Sequence, residues 1–445
     1  MKVSFINLRP KYNSYGLFSI APLGSVYLGT ILKERGYDVT VYDEDRSHLY
    51  KKGGIHPDIL ESDFVGITVI SPTAGKALNF LKALRKENSK IRTAVGGPHV
   101  LGAEQSKEFA QYADAVVQYE AEEIIEDVVN GHLEGIVQGR HPGSMDELPI
   151  PDLELMTYSK NRYLNFFKLT PISTARGCPR DCEFCTVSNI HGKKVRRRSV
   201  DLVMKEFQQR LKEGYKRIFF VDDNFSVNPA ARKPLLQEMI REKQKGSWFD
   251  SIIVQDEVDG ILRGGEEYVR MMKDAGIKTV MLGVESFDDE KLKAMHKHHK
   301  TSDSEKAIYM LQKYGIIIYA FGMAKPEVDD SQSIKQQFDK LKELDITYAD
   351  MTIETPVPGT PYWEKYKNKL IARSNGKPNW DKWTFLSAVI PTKHMNPREF
   401  EEEVSKNMKR FYSVGRAFKE LFRKGDLRKA LTILYVHHIS GKMYG

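Results

Sequence analysis

The stretch PISTARGCPRDCEFC, residues 171–185, runs a short β-prone segment straight into a loop. That loop holds every cysteine of the chain: Cys178, Cys182 and Cys185. Three thiols gathered at one place in 445 residues make no disulfide framework and fit a reducing, cytoplasmic compartment. Spacings of three and then two residues let the thiolates close around one metal centre. The loop follows a strand directly, so the fold depends on what sheet that strand belongs to.

Downstream the same unit recurs. Strand candidates RIFFVDD (217–223), SIIVQDEVD (251–259), TVMLGVES (279–286), IIIYAFGMA (316–324) and ADMTIETPVPG (349–359) are each followed by a helical segment. With 171–176 they make a series of six β/α units, which predicts a (β/α)6 partial TIM barrel over 171–365. The cysteine loop then lies at the carboxyl mouth of the barrel, where such folds place chemistry.

Upstream, residues 1–140 alternate apolar runs (2–8, 38–43, 64–70, 91–97, 113–119) with amphipathic helical stretches (22–36, 74–88, 121–131). This pattern predicts a doubly wound, Rossmann-like parallel sheet with ligands at the carboxyl ends of its strands. Those ends carry Asp43, Ser71, Thr73, Gly96 and Gly97, and a glycine pair lets backbone approach a ligand closely. The proline-spaced segment 141–170 reads as a linker. Residues 366–445 read as a helical extension, so the expected class is α/β with two domains and a helical end. Hydrophobic and charged contents of 41% and 29% are those of a globular protein. No apolar run approaches the ~20 residues that span a bilayer, and the N-terminus lacks the features of a secretory signal.

Three readings of the thiols compete: buried structural cysteines, a zinc site with His191 as fourth ligand, and a [4Fe–4S] cluster with one iron left open. Structural zinc usually pairs two knuckles, and there is no second one here. Spacing favours the cluster, whose open iron is a place for substrate or cofactor chemistry.

The cysteine loop after the first strand of a β/α barrel resembles the radical S-adenosylmethionine (SAM) superfamily. The preceding sheet domain resembles the subclass with an N-terminal cobalamin-binding domain. Supporting stretches run in order: PLGSVYLGTILKERGYDVTVYD, AVGGPHV, ADAVVQYEAEE, VDDNF, MLGVES followed by KLKAMHK, and TPVPGTPYWEKY. The resemblance implies that Cys178, Cys182 and Cys185 hold the cluster and that SAM chelates its fourth iron. It further implies that SAM is cleaved to a 5′-deoxyadenosyl radical, which abstracts hydrogen from an unactivated carbon. Phe184, Asp222, Asp223, Asn224, Glu285 and Ser286 are the residues expected to cradle SAM. Helix capping is the alternative for the Asp pair, and a structural ion pair for Glu285.

Cobalamin is the cofactor the subclass implies for the first domain, near Asp43, Ser71, Thr73, Gly96 and Gly97. The Asp-x-His-x-x-Gly motif is missing, because His48 is off register, so cobalt ligation by the protein is not assumed. The alternative is a vestigial sheet that helps bind substrate. KHHK (297–300) reads as solvated surface, whereas KKVRRR (193–198) suits either an anionic ligand or solvent.

The formal charge is +8. From Val404 onward ten Lys and Arg face only Glu420 and Asp426, so the basicity belongs to the tail. Val404, Met408, Phe411, Tyr412, Phe418, Leu421 and Phe422 fit one helical stripe, which reads as a helix on an anionic membrane surface, as a clamp on RNA, or as a packed helical tail with a solvated basic face. The expected function is a cytoplasmic cobalamin-dependent radical SAM methyltransferase, peripheral at the inner membrane surface. Its substrate would be small or lipid-like and its electrons would come from an external one-electron reductant. A radical SAM cyclase, oxidase or carbon–carbon coupling enzyme is the alternative. An RNA methylthiotransferase would need a second set of cysteines, nucleic acid is not an expected partner, and a non-catalytic carrier would leave the barrel without purpose.

Overall fold

Two parallel six-stranded sheets set the architecture, and in each the carboxyl ends of the strands form one rim. The computed structural model describes residues 1–10, 20–51, 53–157, 169–424 and 427–443. In the first sheet the strands are β1 (Lys2–Asn7), β2 (Asp38–Asp43), β3 (Phe64–Thr68), β4 (Arg92–Gly96), β5 (Ala115–Gln118) and β6 (Gly135–Gln138). Their spatial order is β2-β1-β3-β4-β5-β6, so chain order switches beside β1, as in a doubly wound fold. β1 and β3 are buried almost throughout, which is why they read as continuous apolar runs. Asn7 lies level with Thr68, and Thr68 with Gly96, at the rim. The sixth strand was not expected from the sequence. As an exposed edge it shows no alternation.

The second sheet comprises β7 (Leu169–Ile172), β8 (Arg217–Phe220), β9 (Ser251–Glu257), β10 (Ile277–Glu285), β11 (Ile317–Ala324) and β12 (Tyr348–Ile353), adjacent in chain order. Six β/α units are therefore present, and β7 and β12 stand at opposite edges of a half-barrel. Outward residues such as Ile218, Val254, Leu282 and Ala320 pack against Phe207, Tyr268 and Phe338 of the surrounding helices. Inward residues Phe219, Met281 and Tyr319 form a separate small cluster in the lumen. Alternation of period two sends successive side chains to these two faces.

The proline-spaced segment is not a loose linker over its described part. Met145, Leu148, Leu153, Leu155 and Met156 are buried, and Met156 bridges to Val41 of β2. Residues 158–168 of that segment lie outside the described residues. After β12 the chain returns to the first domain, where Trp363, Trp380 and Trp383 join its core. Three helices then follow: α1 (Pro397–Phe411), α2 (Val414–Lys424) and α3 (Leu427–Met443). The apolar stripe read on the tail is divided. Val404, Met408, Phe411 and Tyr412 are buried in the barrel's outer core, while Phe418 and Phe422 are exposed. Among the described residues no helix is long and apolar enough to cross a membrane.

Candidate active site

The cysteine loop is built by the residues between its thiols. Gly177 has φ of +95°, and a side chain there would run into the carbonyl of Lys194, so only glycine admits the turn. Arg180, between Cys178 and Cys182, forks onto Glu257 at the end of β9, with Nε 3.0 Å from each carboxylate oxygen and Nη2 2.6 Å from Oε1. It also donates to Asp259. Planar bidentate pairs of this kind fix orientation as well as charge. The backbone N–H of Cys185 donates to the carbonyl of Cys182 at 3.1 Å.

All three thiols are free. Burial raises each of them, Cys185 up to about 12, so filling the site must release protons. Among the described residues no three His, Cys, Asp or Glu side chains are set to hold a single metal ion. In an iron–sulfur cluster each thiolate takes a different iron, so the ligands stand further apart. Asn224 lies beside Cys178, and its buried Oδ1 has no partner. Three free thiols and an orphaned buried acceptor beside them fit a [4Fe–4S] cluster with a ligand on its open iron.

The other residues expected to meet SAM divide into two groups. Asp222 is 2% exposed. Its carboxylate accepts from the N–H groups of Thr174 and Ala175 at 2.6 and 2.9 Å and pairs with Arg232. It anchors the end of β7 to the end of β8. Ser286 is also internal, bonded to Gln337 at 3.3 Å. Neither Asp caps the next helix, because Asn228 does. Asp223, by contrast, lines an open cavity; crowding by the walls raises its carboxyl, against the pull of His191.

Glu285 has φ of +60°, a strained setting for a residue with a Cβ and one that clusters at functional sites. Its carboxylate pairs with Lys297 at 2.8 Å. Lys297 also lies 5.7 Å from the ring centroid of Phe184 and within electrostatic reach of Cys182. Burial opposes its charge most strongly, yet Glu285 together with Cys182 and Glu257 outweighs that and holds Lys297 protonated. The reading of KHHK as solvated surface is therefore corrected. Lys297 and His299 point inward, and only His298 and Lys300 are exposed, because 297 and 299 alternate toward the barrel mouth.

The cavity, about 360 Å³, opens between the two domains. One wall is the rim of the first sheet, with Thr68, Gly96 and Gly97; the other is the barrel mouth, with Ser173, Arg176 and Asp223. At Gly97 φ is +104° and a Cβ would stand 2.7 Å from the carbonyl oxygen of Val69, so the rim there is bare backbone. A broad planar ligand could lie on that rim, and this cradle fits cobalamin. Of the residues expected to meet a ligand, Gly96, Gly97 and Asp223 line the cavity; Asp43, Ser71 and Thr73 do not, and the cysteines, Phe184, Asp222, Asn224, Glu285 and Ser286 lie outside its lining as well. Asp43 is 4% exposed. Burial raises its carboxyl to about 6. Thr73 Oγ1 caps its own turn at Ile70. Ser71 bonds Nδ1 of the buried His99 at 3.1 Å. His48 is exposed and also outside the cavity.

Sequence reasoning missed the seam of the cavity. Glu120 accepts from His191 at 2.7 Å and from Arg196 at 2.9 Å, and pairs with Arg176 at 3.1 Å. Burial disfavours its charge, but these partners outweigh it and hold the carboxyl well below the usual range. Arg196 thus gives KKVRRR a carboxylate partner within the protein. The ADAVVQYEAEE stretch was the available signal, since its acidic residues directly follow a buried strand.

Residues 172–337 match the Radical SAM superfamily, and residues 17–129 match the B12 binding domain. The chain belongs to the radical SAM superfamily, in the branch whose barrel follows a B12-binding domain. The chain is 29% identical over 425 residues to an uncharacterized methyltransferase, PH0819, of Pyrococcus horikoshii, covering 88% of this chain and 86% of that one. It is 25% identical over 411 residues to the bacteriochlorophyllide d C-12(1)-methyltransferase of Chlorobaculum tepidum, with 90% and 84% covered. Among solved structures the cobalamin-dependent SAM radical enzyme OxsB, with aqua-cobalamin bound, superposes with a TM-score of 0.70 at 15% identity. That match covers 97% of this chain and 72% of OxsB, a likeness of fold.

Proposed function

We propose that the chain is a cobalamin-dependent radical SAM methyltransferase acting on an unactivated carbon of a small or lipid-like molecule. One observation carries this reading: a single cavity has the bare rim of the first sheet as one wall and the barrel mouth as the other. When bound, the [4Fe–4S] cluster supplies the electron that cleaves SAM to a 5′-deoxyadenosyl radical, and cobalamin supplies a methyl carrier. The protein's own residues bind and orient. Cys178, Cys182 and Cys185 hold the cluster, Arg180 fixes the loop, and Gly96–Gly97 lets a flat ligand reach backbone. Asp223 and Glu285 are carboxylates suited to the ammonium and ribose hydroxyls of SAM, with Phe184, Asn224 and Lys297 around them. Asp222 and Ser286 support those positions from behind. Electrons come from an external one-electron donor.

The Chlorobaculum relative is named for methylating bacteriochlorophyllide d, which supports a small-molecule substrate here. On α2, Phe418 and Phe422 are 54% and 75% exposed and their rings stack at 5.7 Å. Leu427 and Leu431 extend the same exposed character into α3. With the basic tail, this face suits contact with an anionic membrane surface. Phe418→Asp with Phe422→Asp should lower sedimentation with vesicles containing phosphatidylglycerol; unchanged sedimentation overturns the membrane contact.

The test of the activity is anaerobic reconstitution with SAM, cobalamin and reductant, followed by mass analysis of nucleosides and substrate. Methylated product with S-adenosylhomocysteine is the expected outcome. Deoxyadenosine without any methylation would instead indicate cyclisation, oxidation or coupling.

A further inference from the structure

The half-barrel has two free edges, β7 and β12, and the cysteine loop springs from the first of them. A parallel sheet left open in this way needs some other means to hold its mouth. Glu183, flanked by Cys182 and Phe184, is 8% exposed. Its Oε1 lies 2.6 Å from Nζ of Lys325, the residue directly after β11. The same ammonium is 2.7 Å from Oε2 of Glu354, directly after β12, and 3.2 Å from Glu327. One buried cation thus joins the loop at one edge of the half-barrel to the strand ends at the other.

The backbone repeats the connection. The N–H of Tyr362 donates to the carbonyl of Glu183 at 2.9 Å, and Asn189 donates to the carbonyl of Gly359. Tyr362 and Tyr366 donate to Glu327 at 2.9 and 3.0 Å. Their rings are part of the first domain's core. Three parts of the molecule therefore meet around Lys325: the cysteine loop, the closing strands and, through Tyr362 and Tyr366, the core of the first domain.

An ion group of this kind is costly to bury and contributes little net stability against an apolar substitute. Its value lies in geometry, because one ammonium shared by three carboxylates holds them in a single arrangement. Burial pushes Glu354 up to about 8 despite the neighbouring Lys325, and Glu354 Oε1 has no partner, so the group is tolerated rather than optimised for stability.

We propose that Lys325 is a positioning residue for the iron–sulfur loop: through Glu183 it closes the open mouth of the half-barrel and fixes the loop against the B12-binding domain. This rests on the radical SAM reading of the site. Loss of the clamp leaves the three thiols in place but frees the loop that carries them. The cluster should then still form and be lost faster. Outer-shell partners of metal ligands typically matter at this level, so loss on exposure to air should accelerate roughly tenfold.

The experiment compares wild type, Lys325→Met and Glu183→Gln as full chains, reconstituted anaerobically with iron and sulfide. It follows cluster absorbance during air exposure, the electron paramagnetic resonance signal of the reduced cluster with and without SAM, and thermal melting of the cluster-free proteins. Glu183→Gln is nearly isosteric and leaves Lys325 two carboxylates, so it decides the matter if Lys325→Met fails to fold. Faster cluster loss and an altered SAM-dependent signal, with cluster-free melting unchanged in Glu183→Gln, are the expected results. Wild-type loss rates and signals in the foldable variants overturn the proposal, as does a loss rate that merely follows cluster-free melting. Failure of the wild type itself to take up a cluster overturns the radical SAM reading instead.

Discussion

The two sheets face the same cavity but prepare it by opposite means. At the rim of the first sheet the surface is backbone: Gly97 is held at a positive φ with no room for a side chain, and Gly96 lies beside Thr68. At the barrel mouth the surface is charged: Arg176 faces the cavity and pairs with Glu120 and Glu122 across the seam, while behind the lining Arg180 is fixed on Glu257, Lys297 on Glu285 and Lys325 on three carboxylates. A broad ligand bound by shape needs an unobstructed floor. A small charged cofactor beside a metal cluster needs oriented groups that do not move, since preorganised charges lose nothing to reorganisation. One cleft can thus serve two cofactors, because each wall is built for a different kind of recognition.

If the walls are separate, they can be damaged separately. Cys178→Ala should abolish iron incorporation and deoxyadenosine formation while cobalamin still co-purifies; its joint loss would show the walls to be one unit. The reverse experiment is Gly97→Ala. Backbone strain and the close approach to Val69 should cost about 3 kcal/mol in urea unfolding, and cobalamin retention should fall while iron content holds.

Asp43 probes the first domain through pH. Its carboxyl is raised by burial to about 6 from an ordinary 3.8, so the folded state holds the proton more tightly than the unfolded one. The resulting penalty is absent below about pH 4, grows between there and pH 6, and is complete above that. Asp43→Asn should therefore stabilise the protein at pH 7.5 by about 2–3 kcal/mol and leave it unchanged at pH 3.5, as read from denaturant midpoints. Arg180→Met is the smallest of the four. The pair with Glu257 is partly solvent-exposed, so its loss should cost about 1–2 kcal/mol, less than a fully buried pair. It should raise the rate of cluster loss without touching cobalamin retention.

The fold was largely legible because its signals are local. Both series of β/α units followed from apolar runs alternating with amphipathic stretches, and the three cysteines announced themselves by spacing. β6 was missed because an exposed edge strand carries no apolar pattern. The segment before the barrel was misjudged because single apolar residues at irregular spacing, such as Leu153 and Met156, bury themselves without periodicity. KHHK was misjudged for a related reason. Charged residues are read as solvated by default, and Lys297 escapes that rule only because Glu285 waits opposite it.

By itself, then, the sequence determined the class of each domain, the succession of most strands along the chain and the gathering of all three thiols in one loop. These depend on periodicity and on neighbours within a few residues. Only the tertiary structure decided which strand ends share the cavity, and that Asp222 anchors while its neighbour Asp223 faces open space. It alone paired Glu183 with Lys325, 142 positions away. Such pairings bring together groups remote along the chain, and no local pattern encodes them; they exist because the helices and sheets, once packed, leave each buried charge a single place to find its partner.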